Sequence, residues 1–183
     1  MNWRIRRTPP SQARNNRGEQ KKGLRRAAGT ELSWSRILVP IDFSRESTRA
    51  LKVAMQLGQA GGELILVHVV GPVYEVRDFG YGPVQRRRPN ESLMRRAKPR
   101  LKALARRHVS PKWEWRCLVL SGTAPRQILK AAAEVRAELV VMPTRGLSHA
   151  PPTELGSTAE RVVRHAPCPV LVLPKRMTKT RRK

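Results

Sequence analysis

The sequence has few aromatic residues and no long hydrophobic run, and each shortage excludes a class of protein. Aromatic residues make up 4% of the 183 residues, which argues against a surface that reads nucleic-acid bases. The longest apolar run, 64–70, has the length of a buried strand and falls far short of the roughly 18 residues of a membrane span. No apolar segment follows Arg4, Arg6 and Arg7, so we expect no secretory signal.

Cysteine is also scarce. Cys117 and Cys168 cannot form a disulfide framework, and the four histidines lack the spacing of metal ligands. We therefore expect a reduced cytoplasm as the compartment. Cys168 is expected to pack rather than to act as a nucleophile, because the sequence places no activating base beside it. Since no paired carboxylates or Ser-His-Asp arrangement stands out either, we predict that the protein is not an enzyme.

Acidic residues are outnumbered: 13 Asp and Glu stand against 38 Lys and Arg, a formal net charge of +25. Much of the excess is terminal, since residues 1–36 hold ten cations and two Glu, and residues 175–183 hold six cations and no acid. The tails 1–34 and 176–183 are polar, so we predict that they are disordered. Such tails favour non-specific binding to nucleic acid; the alternative is that they are merely solvated.

Between the tails, apolar runs of strand length alternate with segments of helical period. The predicted strands are 36–41, 63–70, 113–120, 138–142 and 168–174, and the predicted helices are 44–62, 91–107, 124–137 and 157–165. Because parallel strands need crossover connections, this alternation predicts an α/β domain whose parallel sheet carries helices on both faces. Gly61 and Gly62 are predicted to end the first helix, and the Gly- and Pro-rich segment 71–90 to be a long loop.

The candidate site follows from this order of elements. In such sheets ligands bind beyond the carboxyl ends of the strands, where the strand order reverses. Asp42 follows the first strand, and the loop 143–156 follows the fourth. If these two strands are neighbours, Asp42 and the loop line one crevice.

Three segments carry a family resemblance: ILVPIDFS, LILVHVV and GLSHAPPTELGSTAERVVRHAPCPVLVLP. Together they resemble the universal stress protein family (UspA-like domain) over about residues 35–175. The resemblance implies an adenine-nucleotide alpha-hydrolase-like (Rossmann-like) fold, a doubly wound five-stranded parallel sheet of order 3-2-1-4-5. It also implies a role in the stress response. Members of the family are usually homodimers, and some of them bind ATP.

The ATP-binding members share a loop pattern, G-x2-G-x9-G-[S/T], after the fourth strand. Gly146, Gly156 and Ser157 match its later positions, whereas Pro143 stands at the first glycine. Proline lacks an N–H group and adds a ring, so we predict that ATP binding is weak or absent. Further contacts are implied by the resemblance alone, at Pro40, Ile41, Asp42, Val69, Met142 and Thr158.

Several of these positions have a structural alternative. Asp42 suits a turn in which its side chain bonds the next amides. Ser157 with Glu160 suits a capping box, and the two loop glycines suit turns of positive φ. His68, in mid-strand, is interpreted as a satisfied buried histidine rather than a catalytic one.

The tryptophan pair in the third strand and the apolar last strand are candidates for contact surfaces. Trp113 and Trp115 share a strand face and are interpreted as core or edge cover rather than as a base-stacking platform. The last strand is apolar and expected at a sheet edge, so it predicts a homodimer with Val170 and Val172 at the interface. The sequence thus predicts a universal stress-like protein that acts by binding, with a nucleic-acid-associated protein and a weak ATPase as alternatives.

Overall fold

The computed structural model of the protein describes residues 33–78, 83–145 and 155–174. Its elements are, in chain order, β1 (Trp34–Pro40), α1 (Arg45–Leu57), β2 (Gly58–Val70), β3 (Val73–Asp78), β4 (Pro83–Arg88), α2 (Glu91–His108), β5 (Glu114–Ser121), α3 (Ala124–Glu134), β6 (Leu139–Pro143), α4 (Ser157–His165) and β7 (Val170–Leu173). Five strands form one parallel sheet in the order β5-β2-β1-β6-β7. The predicted doubly wound sheet of order 3-2-1-4-5 is therefore confirmed.

The central strand β1 is buried on both sides and supplies both halves of the core. Ile37 and Val39 pack with α1 and α2 on one face of the sheet, whereas Leu38 packs with α3 and α4 on the other. None of these three side chains has exposed surface. Burying such a side chain contributes about 1.5 to 3 kcal/mol, which explains why β1 is apolar without a polar alternation.

Gly58, and not Gly61 or Gly62, ends the first helix. Its amide donates to the carbonyl oxygen of Ala54 as the C-cap of α1, and a Cβ atom on Gly58 would collide with the ring of Trp113. Strand β2 starts there and includes both later glycines. The predicted helix end was wrong because the backbone is already extended at Gly58, and the contact of Trp113 with both Gly58 and Gly62 is not readable from local sequence.

Residues 71–90 contain a hairpin as well as loop. Strands β3 and β4 form a two-stranded antiparallel sheet, with a register that runs from Val73 opposite Arg88 to Asp78 opposite Pro83. The prediction of a long loop was wrong over these strands. Valine and tyrosine at the start of β3 have high strand propensity, and a proline at the first residue of a strand is tolerated.

The longest helix is α2, which packs through small and apolar side chains and exposes its cations. The side chain of Asn90 caps its first turn by accepting a hydrogen bond from the Leu93 amide at 3.2 Å. Pro99 lies within the helix. No helix in the described part of the chain is long and apolar enough to cross a membrane. The buried residues of α2 are Ala97, Leu101 and Ala105.

Candidate functional site

A cleft lies at the carboxyl ends of β1 and β6, where the strand order reverses. Its cavity volume is about 250 Å³, near the lower limit of roughly 300 Å³ for small-molecule pockets. The predicted site residue Gly146 lies outside the described residues. The other eight predicted residues all line this cleft: Pro40, Ile41, Asp42, Val69, Met142, Gly156, Ser157 and Thr158.

Asp42 connects the end of β1 to the start of α1. Its Oδ1 atom accepts hydrogen bonds from the Ser44 amide at 3.0 Å and from the Ser44 hydroxyl at 2.5 Å. Burial raises the pKa of Asp42, but hydrogen bonds from Ser44 and Ser47 outweigh burial and hold this pKa below its usual value. The side chain is thus a carboxylate at neutral pH. Because it lines the cleft as well, the turn and ligand-binding interpretations are compatible.

The turn after Asp42 is strained at the next residue. Phe43 has a φ of 66°, a region that bulky residues rarely adopt. Its ring is contacted by two neighbours, the guanidinium of Arg100 at 4.0 Å and the ring of His68 at a centroid distance of 4.6 Å. The two contacts pack the Phe43 side chain beside Asp42, which lines the cleft.

Gly156, and not Ser157, is the N-cap of α4. The amide of Glu160 donates to the Gly156 carbonyl oxygen at 2.9 Å. The Glu160 carboxylate accepts from Arg164 at 3.0 Å, and the Ser157 hydroxyl has no hydrogen bond to any residue that the structure describes. The capping-box interpretation of Ser157 was wrong, because the helix begins at Ser157 itself. Ser157 and Thr158 instead bring the first amides of α4, which have no acceptor within the helix, to the cleft.

The glycine at 156 is required by a close approach and not by a turn of positive φ. Gly156 has a φ of −64°, which any residue can adopt. Its amide donates to the Thr144 carbonyl oxygen at 3.0 Å, and a Cβ atom would lie 2.8 Å from the same oxygen. Gly156 therefore lets the start of α4 lie directly against the end of β6.

Pro143 is the last residue of β6 and is buried in the wall of the cleft. It lies opposite Leu173 in the pairing of β6 with β7. The proline offers no N–H group to a ligand and fills space with its ring. The proline that replaces the first glycine of the family pattern is therefore itself a residue of the cleft wall.

His68 was missed as a residue of the cleft. Its Nδ1 atom lies 2.7 Å from the Ile41 carbonyl oxygen, and because a carbonyl only accepts, Nδ1 carries the proton. The interpretation as a satisfied histidine describes this bond, but His68 is also one of the residues that line the cleft. Its position near the carboxyl end of β2, the neighbour of β1, was the signal that could have found it.

Arg145 supplies positive charge to the cleft. It follows β6, is only 8% exposed and is one of three buried polar residues in the described ranges. Arg161, which lies in α4, is exposed and does not line the cleft. The cleft therefore combines a carboxylate at β1 with a guanidinium and a helix N-terminus at β6 and α4, an arrangement suited to a ligand with hydroxyl and anionic groups.

Neither cysteine and none of the tryptophans in the described ranges lines the cleft. Burial raises the pKa of the Cys117 thiol to about 11, although Lys102 lowers it, and burial also raises the pKa of Cys168. Both thiols are therefore protonated at neutral pH, which fits a packing role and not that of a nucleophile. Trp113 belongs to the core and Trp115 packs against it. Within the described ranges, no group of three or more His, Cys, Asp and Glu could hold a metal ion.

Comparisons with known proteins agree on one family. The model of the Universal stress protein family matches residues 33–174. A universal stress protein of Thermus aquaticus, from the 3′ region of a sulfhydrylase gene, is 39% identical over 140 residues, which cover 75% of this chain and 96% of the relative.

Solved structures agree on the fold. A hypothetical protein whose biochemical function was assigned from its structure is similar with a TM-score of 0.64 at 20% identity, covering 81% of this chain and 100% of that one. A universal stress protein crystallised in complex with cAMP is similar with a TM-score of 0.54 at 21% identity, covering 78% of this chain and 98% of that one.

Proposed function

Because the chain belongs to the universal stress protein family, we propose that it is a stress-response protein that binds an adenine nucleotide weakly in the cleft between β1, β6 and α4. One observation carries the proposal: eight residues that match nucleotide contacts of the family line a single cleft. The fold relative that was crystallised with cAMP supports the choice of ligand class.

The geometry suggests how the parts of a nucleotide would be held. The Asp42 carboxylate accepts hydrogen bonds from ribose hydroxyls. The first amides of α4, near Ser157 and Thr158, and the guanidinium of Arg145 hold phosphate oxygens. The apolar side chains of Ile128 and Met142 contact the base.

We propose that the nucleotide is a bound ligand and not a substrate. Two titratable side chains of the cleft are already engaged, since Asp42 accepts hydrogen bonds from Ser44 and His68 is bonded to Ile41. In this proposal Asp42 binds the ribose and His68 shapes the cleft, and neither side chain transfers a proton. The protein then acts through partner contacts, as a homodimer paired through β7 in a reduced cytoplasm.

The experiment is a titration of ¹⁵N-labelled protein with ATP, read from amide chemical shifts. The proposal is supported if the amide signals of Asp42, Val69 and Thr158 shift and saturate at about 0.01 to 1 mM ATP. This concentration range is expected for a site that lacks one hydrogen bond to a charged group. Arg126, on the exposed side of α3, is the internal control and should not shift. Shifts confined to other surfaces contradict the proposed site.

A second readout separates binding from the ATPase alternative. The same samples are assayed for inorganic phosphate over several hours. We expect no release above that of ATP in buffer. Release that is abolished by Asp42→Ala shows turnover, and the binding-only proposal then fails.

A further inference from the structure

The positive charge of the folded part is concentrated on two helices. Residues 37–174 hold 22 Lys and Arg against 11 Asp and Glu, a surplus of 11 cations. Helices α1 and α2 together hold ten of these cations and only two of the acids, Glu46 and Glu91. Two helices thus provide eight of the eleven surplus charges.

The two helices present this charge on one side of the molecule. Leu51 of α1 and Leu101 of α2 pack into the same core cluster, on the same face of the sheet. The two helices are in direct contact, and the pKa of His108, at the end of α2, is lowered by burial and by the charges of Arg107 and of Lys52 in α1. We name the Lys and Arg side chains of both helices the α1–α2 surface.

The cations of the α1–α2 surface are available to a partner, apart from Arg49 and from Arg100, whose guanidinium lies over the Phe43 ring. In the described ranges none of them forms an ion pair, and all except the half-buried Arg49, which donates to the Pro174 carbonyl oxygen at 2.7 Å, are exposed. The other face differs, since Lys130 pairs with Glu134 and Arg164 pairs with Glu160. Unpaired like charges repel one another, and an anionic partner would relieve this repulsion.

We propose that the α1–α2 surface binds the phosphate backbone of a nucleic-acid duplex without reading its sequence. A duplex offers about one negative charge per 1.7 Å of its axis, and α2, with 18 residues, extends along about 27 Å. Neither helix contains an aromatic residue, so neither provides the stacking that single strands require.

A lipid surface fits the same helices less well. A helix that lies on a membrane needs an apolar face that is free to insert. The apolar faces of α1 and α2 are used by the core, and Leu93 is the one large apolar side chain of these helices that is exposed, at 47%.

The test compares two full-length variants with equal net charge. The surface variant carries Lys52→Gln, Arg96→Gln and Arg107→Gln. Binding to a fluorescent 20-base-pair DNA is measured by anisotropy at several salt concentrations. The tails are present in both variants, so they contribute equally.

The control variant removes three exposed cations from α3 and α4, by Arg126→Gln, Lys130→Gln and Arg161→Gln. We expect the surface variant to raise Kd about tenfold or more and to lower the salt slope by about 2 to 3, because each lost phosphate contact removes about 0.9. The control should change Kd by less than about twofold. Equal losses in the two variants, or no loss in either, would overturn the proposal.

Additional variants and ligands distinguish duplex binding from a folding defect and from binding to other partners. A charge-conserving variant, Lys52→Arg, Arg96→Lys and Arg107→Lys, should keep binding, whereas its failure would show that charge is not what binds. Tighter binding of a 20-nucleotide single strand than of the duplex overturns the proposal. So does surface-dependent binding to phosphatidylserine vesicles without surface-dependent binding to the duplex.

Discussion

At the residue scale, Asp42 joins the fold to the candidate site. Its Oδ1 atom accepts both hydrogen bonds from Ser44, and Ser44 in turn caps α1 by accepting from the Ser47 amide at 3.1 Å. The same carboxylate lines the cleft. A substitution at Asp42 therefore changes stability and ligand binding together, and the two effects need variants that separate them.

We predict that Asp42→Asn keeps the turn but loses the acid-dependent part of stability. The pKa of Asp42 is lowered in the folded state, so its carboxylate stabilises the fold above the unfolded value of 3.8 and this contribution is lost as pH falls through the lower folded value. Urea unfolding at several pH values measures it. Asp42→Ala, which also removes the turn acceptor, should cost about 1 to 2 kcal/mol more at neutral pH. A stability difference between Asn variant and parent that does not shrink in acid would contradict this.

Individual site residues could be predicted from the sequence where a motif or the end of a predicted strand marks them. The loop pattern selected Gly156 and Ser157, and both line the cleft. Their conformations could not be predicted, because the helix start depends on the bond from Gly156 to Thr144 across two elements. His68 carries no motif, and only the position of β2 beside β1 brings it to the cleft.

At the element scale, periodicity predicted every helix and every strand of the main sheet, with ends that differ by a few residues. Helix α4 begins and ends as predicted, whereas β2 begins at Gly58 and not at Glu63. The hairpin of β3 and β4 was missed because its strands pair only with each other in the described ranges. The strands also lie in a Gly- and Pro-rich segment, whose composition favours a loop.

Helix α2 contains a residue that its own geometry disfavours. Pro99 is exposed and lies in the helix interior, where it cannot donate to the carbonyl of Arg95. We predict that Pro99→Ala raises the free energy of unfolding by about 1 to 3 kcal/mol. Urea unfolding measures the change, and Lys98→Ala, which restores no amide, serves as the control and should stay within about 0.5 kcal/mol. Equal effects of the two substitutions would show that the missing amide is not responsible.

At the scale of the whole molecule, β7 leaves one edge of the sheet open among the described strands. The carbonyls of Pro169 and Leu173 accept from β6, so the alternation of a strand directs the N–H groups of Val170 and Val172 to the open edge. We predict a homodimer paired there. Sedimentation equilibrium of the parent protein at tens of micromolar should give a dimer. Val172→Pro should give a monomer, because it removes an N–H donor at the open edge. The control Val172→Ala keeps this donor and should remain a dimer. A monomeric parent protein would contradict the prediction.

The central claim is that the cleft binds adenine nucleotide with an affinity that Pro143 limits. Isothermal titration with ATP, on the parent protein, Pro143→Gly and Pro143→Gly with Asp42→Ala, tests it most directly. A hydrogen bond to a charged group contributes roughly 1.5 to 3 kcal/mol, about tenfold to more than a hundredfold in affinity. The account predicts a parent Kd of tens to hundreds of micromolar, a Pro143→Gly variant that binds at least about tenfold more tightly, and loss of that gain when Asp42→Ala is added. A parent Kd below about a few micromolar that Pro143→Gly leaves unchanged would contradict it.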